Sequence, residues 1–538
     1  MSKSKQKDGK IIYDYIVVGT GPAGSVIAKK LTDDKKTSVL VLEAGENNDR
    51  DTPISNSTFA LELEELYLPQ YFWQGEGVPQ EKVNERSFEW TTGRLLGGGS
   101  SINTQQYVRP TSAVFQQWEK LLGPLWSPKN ATRSFRKMEN YNGKTNNKEV
   151  HGYKGLIDIR QAPENPTPMS KKLVSAIEKA TGFRKILDYN DPKTPLGPFT
   201  RWQLFQQPNG RRESASTAFL SSDIMTTAGQ GVNGRKLQVF FKSTALRVLF
   251  KNKRAIGVEF LKEGKRVRAY SRKKVIISAG IHSSQLLMLS GIGPAKMLKD
   301  EGIPVVFANS HVGKGLRNHT LNFAEFSANP KDNPLPVDDP NALFSGGAFL
   351  PDPTPGSNKT RRAVQLIGIG SKGKLTIAIL FLKPKSRGSI SIQSNDPLKI
   401  VLADEGYLNN PADLEAVKNC YKVYIKKIAA QLTAIDRSYR LISPTLDIIN
   451  NNRKLEEFIK NNFDHNHHEQ GALRMAPLSK GGVVDSHGQV HGVKDLIVAD
   501  DSIIPFTVDG NTSAPAYLIG NTIAQQLLKQ NSRDNMKK

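Results

Sequence analysis

A mixed α/β fold opening on a Rossmann-like βαβ unit is predicted by two features of the sequence. One is a strand, glycine-rich turn, helix and strand in succession near the start, and the other is a composition able to fill a large core. The run begins at IIYDYIVV, Ile11 to Val18, whose apolar and β-branched residues suit a buried strand. Gly19-Thr20-Gly21-Pro22-Ala23-Gly24 follows, SVIAKKL then has helical spacing, and TSVLVLEAG reads as a second strand. In such a turn Gly19 permits the tight bend, Gly21 lets the backbone approach a pyrophosphate, and Gly24 lets helix pack on strand. The helix N-terminus offers its free N–H groups to phosphate. Glu43, 19 residues after Gly24, is placed to accept hydrogen bonds from a ribose. The candidate dinucleotide contacts here are Gly19, Thr20, Gly21, Gly24, Glu43 and Ala44.

The chain has 538 residues, 38% hydrophobic and 23% charged, with 44 Gly and 30 Pro, which excludes collagen-like and wholly disordered classes. Its one cysteine, Cys420, cannot form an intramolecular disulfide, so a reducing, intracellular setting is expected. The first ten residues lead into a strand rather than an apolar signal core, and no run of about 18 apolar residues offers a membrane span. Lys and Arg outnumber Asp and Glu by 75 to 51, a surplus of 24 that attracts polyanions such as nucleic acid. A scattered, solvated basic surface explains the same surplus equally well.

Residues 93 to 103, Gly-Arg-Leu-Leu-Gly-Gly-Gly-Ser-Ser-Ile-Asn, suit neither helix nor strand and read as a loop wrapping something closely. With Tyr107 and Pro110 after it, and Trp73 and Pro79-Gln80 before it, this loop resembles the first signature of the glucose-methanol-choline (GMC) flavin oxidoreductases. The resemblance implies FAD, with Arg94, Gly98, Ser101 and Asn103 as contacts. Ile102 stands where some members carry a histidine bonded covalently to flavin; it has no nucleophile, so noncovalent FAD is expected.

Further matches run along the whole chain. Asn209-Gly210-Arg211-Arg212-Glu213-Ser214 resembles the entry to the substrate domain, and Leu237 to Phe260, which includes Ala245, resembles the strand pair near the adenine. Ser278 to Pro294 resembles the second signature, with Ser284 where proline is common and one residue fewer before Ile281. Gly482 to Pro505, with Asp500 and Asp501, resembles the last FAD segment. The matches imply an FAD-binding domain assembled from 1–110, 235–320 and 475–538. It is interleaved with a substrate-binding domain of antiparallel sheet and helices from 111–234 and 321–474. Substrate-facing side chains are expected in the least motif-like stretches, such as Leu321 to Ile379. Unstructured pieces are expected at Met1 to Lys10, at Gln530 to Lys538 and in the Pro351 to Arg362 loop.

Oxidising an alcohol removes a hydroxyl proton while a hydride leaves the same carbon, which calls for a base near neutral pH and a group to hold the oxygen. His468-Glu469-Gln470-Gly471-Ala472-Leu473-Arg474-Met475 resembles the family's His-x-x-Gly-x-x-x-Met, which makes His468 the candidate base. Gly510-Asn511-Thr512 resembles the segment whose Asn or His bonds the substrate oxygen, and this gives Asn511 that role and makes Asn511 and Thr512 cofactor contacts. Glu469 beside the base is expected to raise its pKa. His465, His467 and His468 with Asp464 and Glu469 lack the spacing of a helical zinc site, so no metal is expected. There is no GxSxG elbow for a hydrolase.

The expected function is therefore FAD-dependent oxidation of a small-molecule alcohol at CH–OH. The alternative is an FAD-retaining structural protein that assembles into a shell or binds DNA through its basic surface. The Lys- and Asn-rich, nearly cysteine-free composition is similar to that of family proteins encoded by giant DNA viruses, which implies a virion setting and a homo-oligomeric assembly for this second reading.

Overall fold

The computed structural model describes residues 10–49, 51–57, 69–334, 339 and 343–536. The expectation for the N-terminal residues before Lys10 lies outside them, as do those for 537 and 538.

Seven strands form the larger sheet, in the order Ser243–Lys251, Arg254–Lys262, Lys265–Ile277, Ile11–Val18, Val39–Leu42 and Leu237–Phe240, with Leu496–Val498 pairing on Lys265–Ile277. The pairings of Ile11–Val18 with Val39–Leu42 and with Lys265–Ile277 are parallel. Ile16, Val17, Leu40 and Val41 are fully buried, as strands covered on both faces require. The stretch from Leu237 to Phe260 makes three strands: Leu237–Phe240 joins the parallel set, and the other two form an antiparallel hairpin. Lys265–Ile277 is long enough to close that hairpin at one end and carry parallel neighbours at the other.

Helix Pro22–Leu31 starts at the end of the first strand and packs on helix Ser513–Met536. The latter runs through the stretch expected to be unstructured. Asn531 anchors it, its Oδ1 accepting from the Tyr15 hydroxyl and from Lys273 Nζ, both at 2.8 Å.

The second sheet has six strands, in the order Arg440–Ser443, Thr320–Ser327, Lys374–Phe381, Val364–Ser371, Gly347–Leu350 and Gly197–Phe199, and every pairing in it is antiparallel. Helix Pro168–Thr181 packs on Gly347–Leu350 and Val364–Ser371, and helix Lys426–Ile435 packs on Pro168–Thr181. The Pro351 to Arg362 loop is not free at its far end either. Arg362 is 1% exposed, lies 3.8 Å over the Phe349 ring and donates to the Tyr189 carbonyl. A guanidinium so placed ties the loop to the sheet.

Candidate active site

A cavity of about 570 Å³ is lined by residues of both sheets. At one end it meets the glycine turn. Gly19 has φ +95°, and a Cβ there would stand 2.4 Å from the Ser278 carbonyl oxygen; one on Gly24 would stand 2.2 Å from that of Gly19. Gly21 instead faces open space. Glu43 lines the wall with one carboxylate oxygen accepting from the Thr20 N–H (3.1 Å) and hydroxyl (2.5 Å), and the other from the Gly45 N–H. Ala44, Ala245, Gly98, Asn103 and Thr512 line the same cavity.

Asp500 and Asp501 are also at the wall. Asp500 accepts from the Gly280 N–H and the Ser283 hydroxyl, while burial and the neighbouring Asp500 carboxylate hold Asp501 well above the usual carboxyl range. Three of the expected contacts are elsewhere. Gly24 serves the turn–helix packing. The Ser101 hydroxyl is spent on the Leu96 carbonyl, and the Arg94 guanidinium lies 4.6 Å over the Trp73 ring.

At the other end His468 and Asn511 meet. Asn511 Nδ2 is 3.2 Å from His468 Nε2, and both residues are buried at the cavity wall. Their hydrogen-bond partners fix the protons. His319 Nε2 is 2.9 Å from the Val508 carbonyl oxygen, which only accepts, so Nε2 carries the hydrogen. Burial and the charge of Lys383 push His319 down to about 3, so the ring is neutral and its Nδ1 is bare. His468 Nδ1, 3.0 Å from that atom, must then donate, which leaves Nε2 of His468 as a bare lone pair. Asn466 Nδ2 is also placed 3.0 Å from His468 Nδ1; since that nitrogen is protonated, the amide is assigned turned end for end, so that its oxygen accepts there. Gln365 Nε2 donates to Asn511 Oδ1 at 3.1 Å, turning the Asn511 amide NH₂ toward His468.

Glu469 does act to raise His468, as the sequence suggested, but it does not prevail. Burial and the adjacent His319 take His468 well below its ordinary value, outweighing Glu469. Glu469 is occupied: its Oε1 is 2.7 Å from His465 Nε2, and the pair is charged, His465 standing at about 9 against the opposing effect of burial. His465, His467 and Glu469, three of the five residues weighed for a metal from the sequence, offer ligand atoms within 4.8 Å of one another. His465 Nδ1 is 3.0 Å from the Tyr407 hydroxyl.

The sequence reading missed His319 and Gln365. Neither sits in a motif, and a buried polar partner leaves no periodic signal. Asn318, whose side-chain oxygen accepts from the His468 N–H, was missed for the same reason.

Two solved structures share the fold. Pyridoxine 4-oxidase from Mesorbium loti has a TM-score of 0.83 at 23% identity, covering 96% of this chain and 99% of its own. An FAD-dependent oxidoreductase from Chaetomium thermophilum has a TM-score of 0.84 at 21%, covering 97% and 100%. The chain shares their mixed α/β architecture. It belongs to the GMC oxidoreductase family, whose N-terminal model matches residues 13–321 and whose C-terminal model matches 384–520. GMC oxidoreductases are FAD-dependent. An alcohol dehydrogenase [acceptor] of Pseudomonas putida is 30% identical, with 96% of each chain covered. An oxygen-dependent choline dehydrogenase of Yersinia pseudotuberculosis is also 30% identical, over 96% of this chain and 93% of its own. Among the described residues no helix is long and apolar enough to cross a membrane.

Proposed function

We propose that the chain binds FAD noncovalently in this cavity and oxidises the CH–OH group of an alcohol to a carbonyl, with His468 as general base and Asn511 holding the oxygen. The observation that carries the reading is the bare Nε2 of His468 facing the Asn511 NH₂ across 3.2 Å. An alcohol oxygen placed beside this pair, within hydrogen-bond reach of both nitrogens, donates its proton to Nε2 and accepts from Nδ2. Burial keeps His468 neutral, the form a base needs. As the proton passes to His468 the carbinol carbon gives up a hydride, for which bound FAD supplies the two-electron acceptor.

The residues present fit a dinucleotide. Helix Pro22–Leu31 has no side-chain cap at its N-terminus, where its N–H groups suit a pyrophosphate, and Gly21 leaves the approach open. The hydroxyls of Ser278 and Ser284 and the Oδ1 of Asp501 are buried at the cavity without a protein partner. Segments 1–110, 235–320 and 475–538 supply the glycine turn and the seven-stranded sheet, which supports their assignment to FAD. Segments 111–234 and 321–474 supply the six-stranded sheet, which supports theirs to substrate. Relatives named for alcohol and choline oxidation point the same way.

The test is anaerobic mixing of flavin-loaded protein with a panel of alcohols. Bleaching of the flavin absorbance in the parent, and its loss in a His468→Ala variant of equal flavin content, is expected. A parent that no alcohol bleaches overturns the reading.

One feature supports a second, compatible role in polyanion binding. Between Arg247 and Lys274 eleven Lys and Arg stand against two carboxylates. Arg247, Arg266 and Arg268, all about half exposed or more, surround the single buried Glu259. Binding to duplex DNA that weakens steeply with salt is the expected signature; absence of binding at low salt rejects it.

A further inference from the structure

Resting on the alcohol-oxidising reading, we infer that the substrate is an uncharged alkanol whose aliphatic chain lies against the six-stranded sheet, and that quaternary ammonium alcohols are poor substrates. The position of the alcohol oxygen is set by His468 and Asn511, and Asn511 is tied to the sheet through Gln365. Directly across the strands from Gln365 is Leu380, and across from Leu380 is Leu321. Opposed residues of an antiparallel pair are about 5 Å apart. Ile367, two residues along from Gln365, shares its face. Leu321, Ile367 and Leu380 all line the cavity, and among the described residues no charged or aromatic side chain of that sheet does. Whatever the carbinol carbon carries first meets this wall.

A trimethylammonium group two bonds from the carbinol carbon would be desolvated against aliphatic carbon. A buried cation is tolerated only with an opposite charge or an aromatic face beside it. The nearby acids do not serve. Glu469 is paired with His465, and Asp464, although its backbone bridges Leu321, is exposed, so water and salt screen its charge, and its Oδ1 accepts from the His465 N–H. Trp73 and Trp90 pack on His282 at ring separations of 5.2 and 5.8 Å, and the Arg94 guanidinium already lies over Trp73.

The experiment is anaerobic stopped-flow reduction of the flavin-loaded protein by 1-propanol, 1-butanol, 1-pentanol, 1-hexanol and choline. We expect kred/Kd to rise about fourfold per added methylene, the factor that corresponds to ~0.8 kcal/mol for each buried CH₂. Choline should fall at least about 10-fold below 1-hexanol. In Ile367→Asp the rise with chain length should vanish; Leu321→Ala, a milder change, should flatten it should the aspartate variant lose flavin. Choline equal to or better than 1-hexanol, or a flat series in the parent, overturns the aliphatic assignment while leaving alcohol oxidation standing. Reduction by none of the five overturns the assignment together with the reading beneath it.

Discussion

The Nδ1 atoms of His319 and His468 are 3.0 Å apart, and since His319 already donates through Nε2 to the Val508 carbonyl, the shared proton belongs to His468. This pairing selects the tautomer of the base. In His319→Leu the proton of His468 Nδ1 loses one of its two acceptors and only the Asn466 amide is left to hold it. One hydrogen bond is worth ~0.5–1.5 kcal/mol net, so kred should fall roughly 2- to 10-fold. His319→Gln, whose side-chain oxygen can accept, should recover part of the loss, and a purely structural role for His319 would show no such rescue.

Removing the base itself should cost more. His468→Ala is expected to lower kred by ~10²–10⁴-fold with flavin content unchanged, read by single-turnover reduction. A variant that still reduces at the parental rate would leave the histidine without a chemical part.

Gln365 acts on the oxygen-holding side. Gln365→Leu removes the donor that turns the Asn511 amide, freeing it to present its oxygen to His468. The expected loss in kred is roughly 10-fold, about the worth of one buried hydrogen bond. Gln365→Glu, which cannot donate when ionised, should resemble the leucine variant.

The pH dependence follows from the depressed pKa of His468. The base works deprotonated, so competence is full above its folded pKa and is lost only as pH falls through that value. kred should therefore be level from pH 8 to pH 6. A histidine at its ordinary value near 6.5 would have lost about three-quarters of its free base at pH 6. A decline centred near pH 6.5 would contradict the burial argument.

Ile102 lines the cavity with a saturated side chain that cannot bond to a flavin. Precipitation with trichloroacetic acid should leave all of the yellow colour in the supernatant. Colour retained in the washed pellet would mean another residue forms a bond.

The βαβ turn was legible because its demands are local: Gly19 and Gly24 have no room for a Cβ, and such positions announce themselves in a sequence. His468 and Asn511 were legible through motif resemblance, which placed them some forty residues apart in the chain and at 3.2 Å in space. Ser101 and Arg94 were read from the same loop, yet their side chains turn to Leu96 and Trp73, since a motif specifies the backbone path better than each side chain's direction. Gln365 and Leu380 lie on strands and His319 just before the strand Thr320–Ser327, where residue pattern predicts burial and nothing about what a side chain faces. The Ser513–Met536 helix outran the polar signals at its end because Asn531 gains partners from Tyr15 and Lys273, distant in sequence.

The strand Lys265–Ile277 also bears on biosynthesis. It must wait for Leu496–Val498 to complete one of its flanks, and helix Pro22–Leu31 must wait for Ser513–Met536. A nascent chain halted near residue 480 thus carries nearly all of the large sheet with greasy surface still wet. At ~5–20 residues per second the ribosome holds it so for several seconds. Yield in a heterologous host should respond to slower elongation or added chaperones rather than to changes near the first strand.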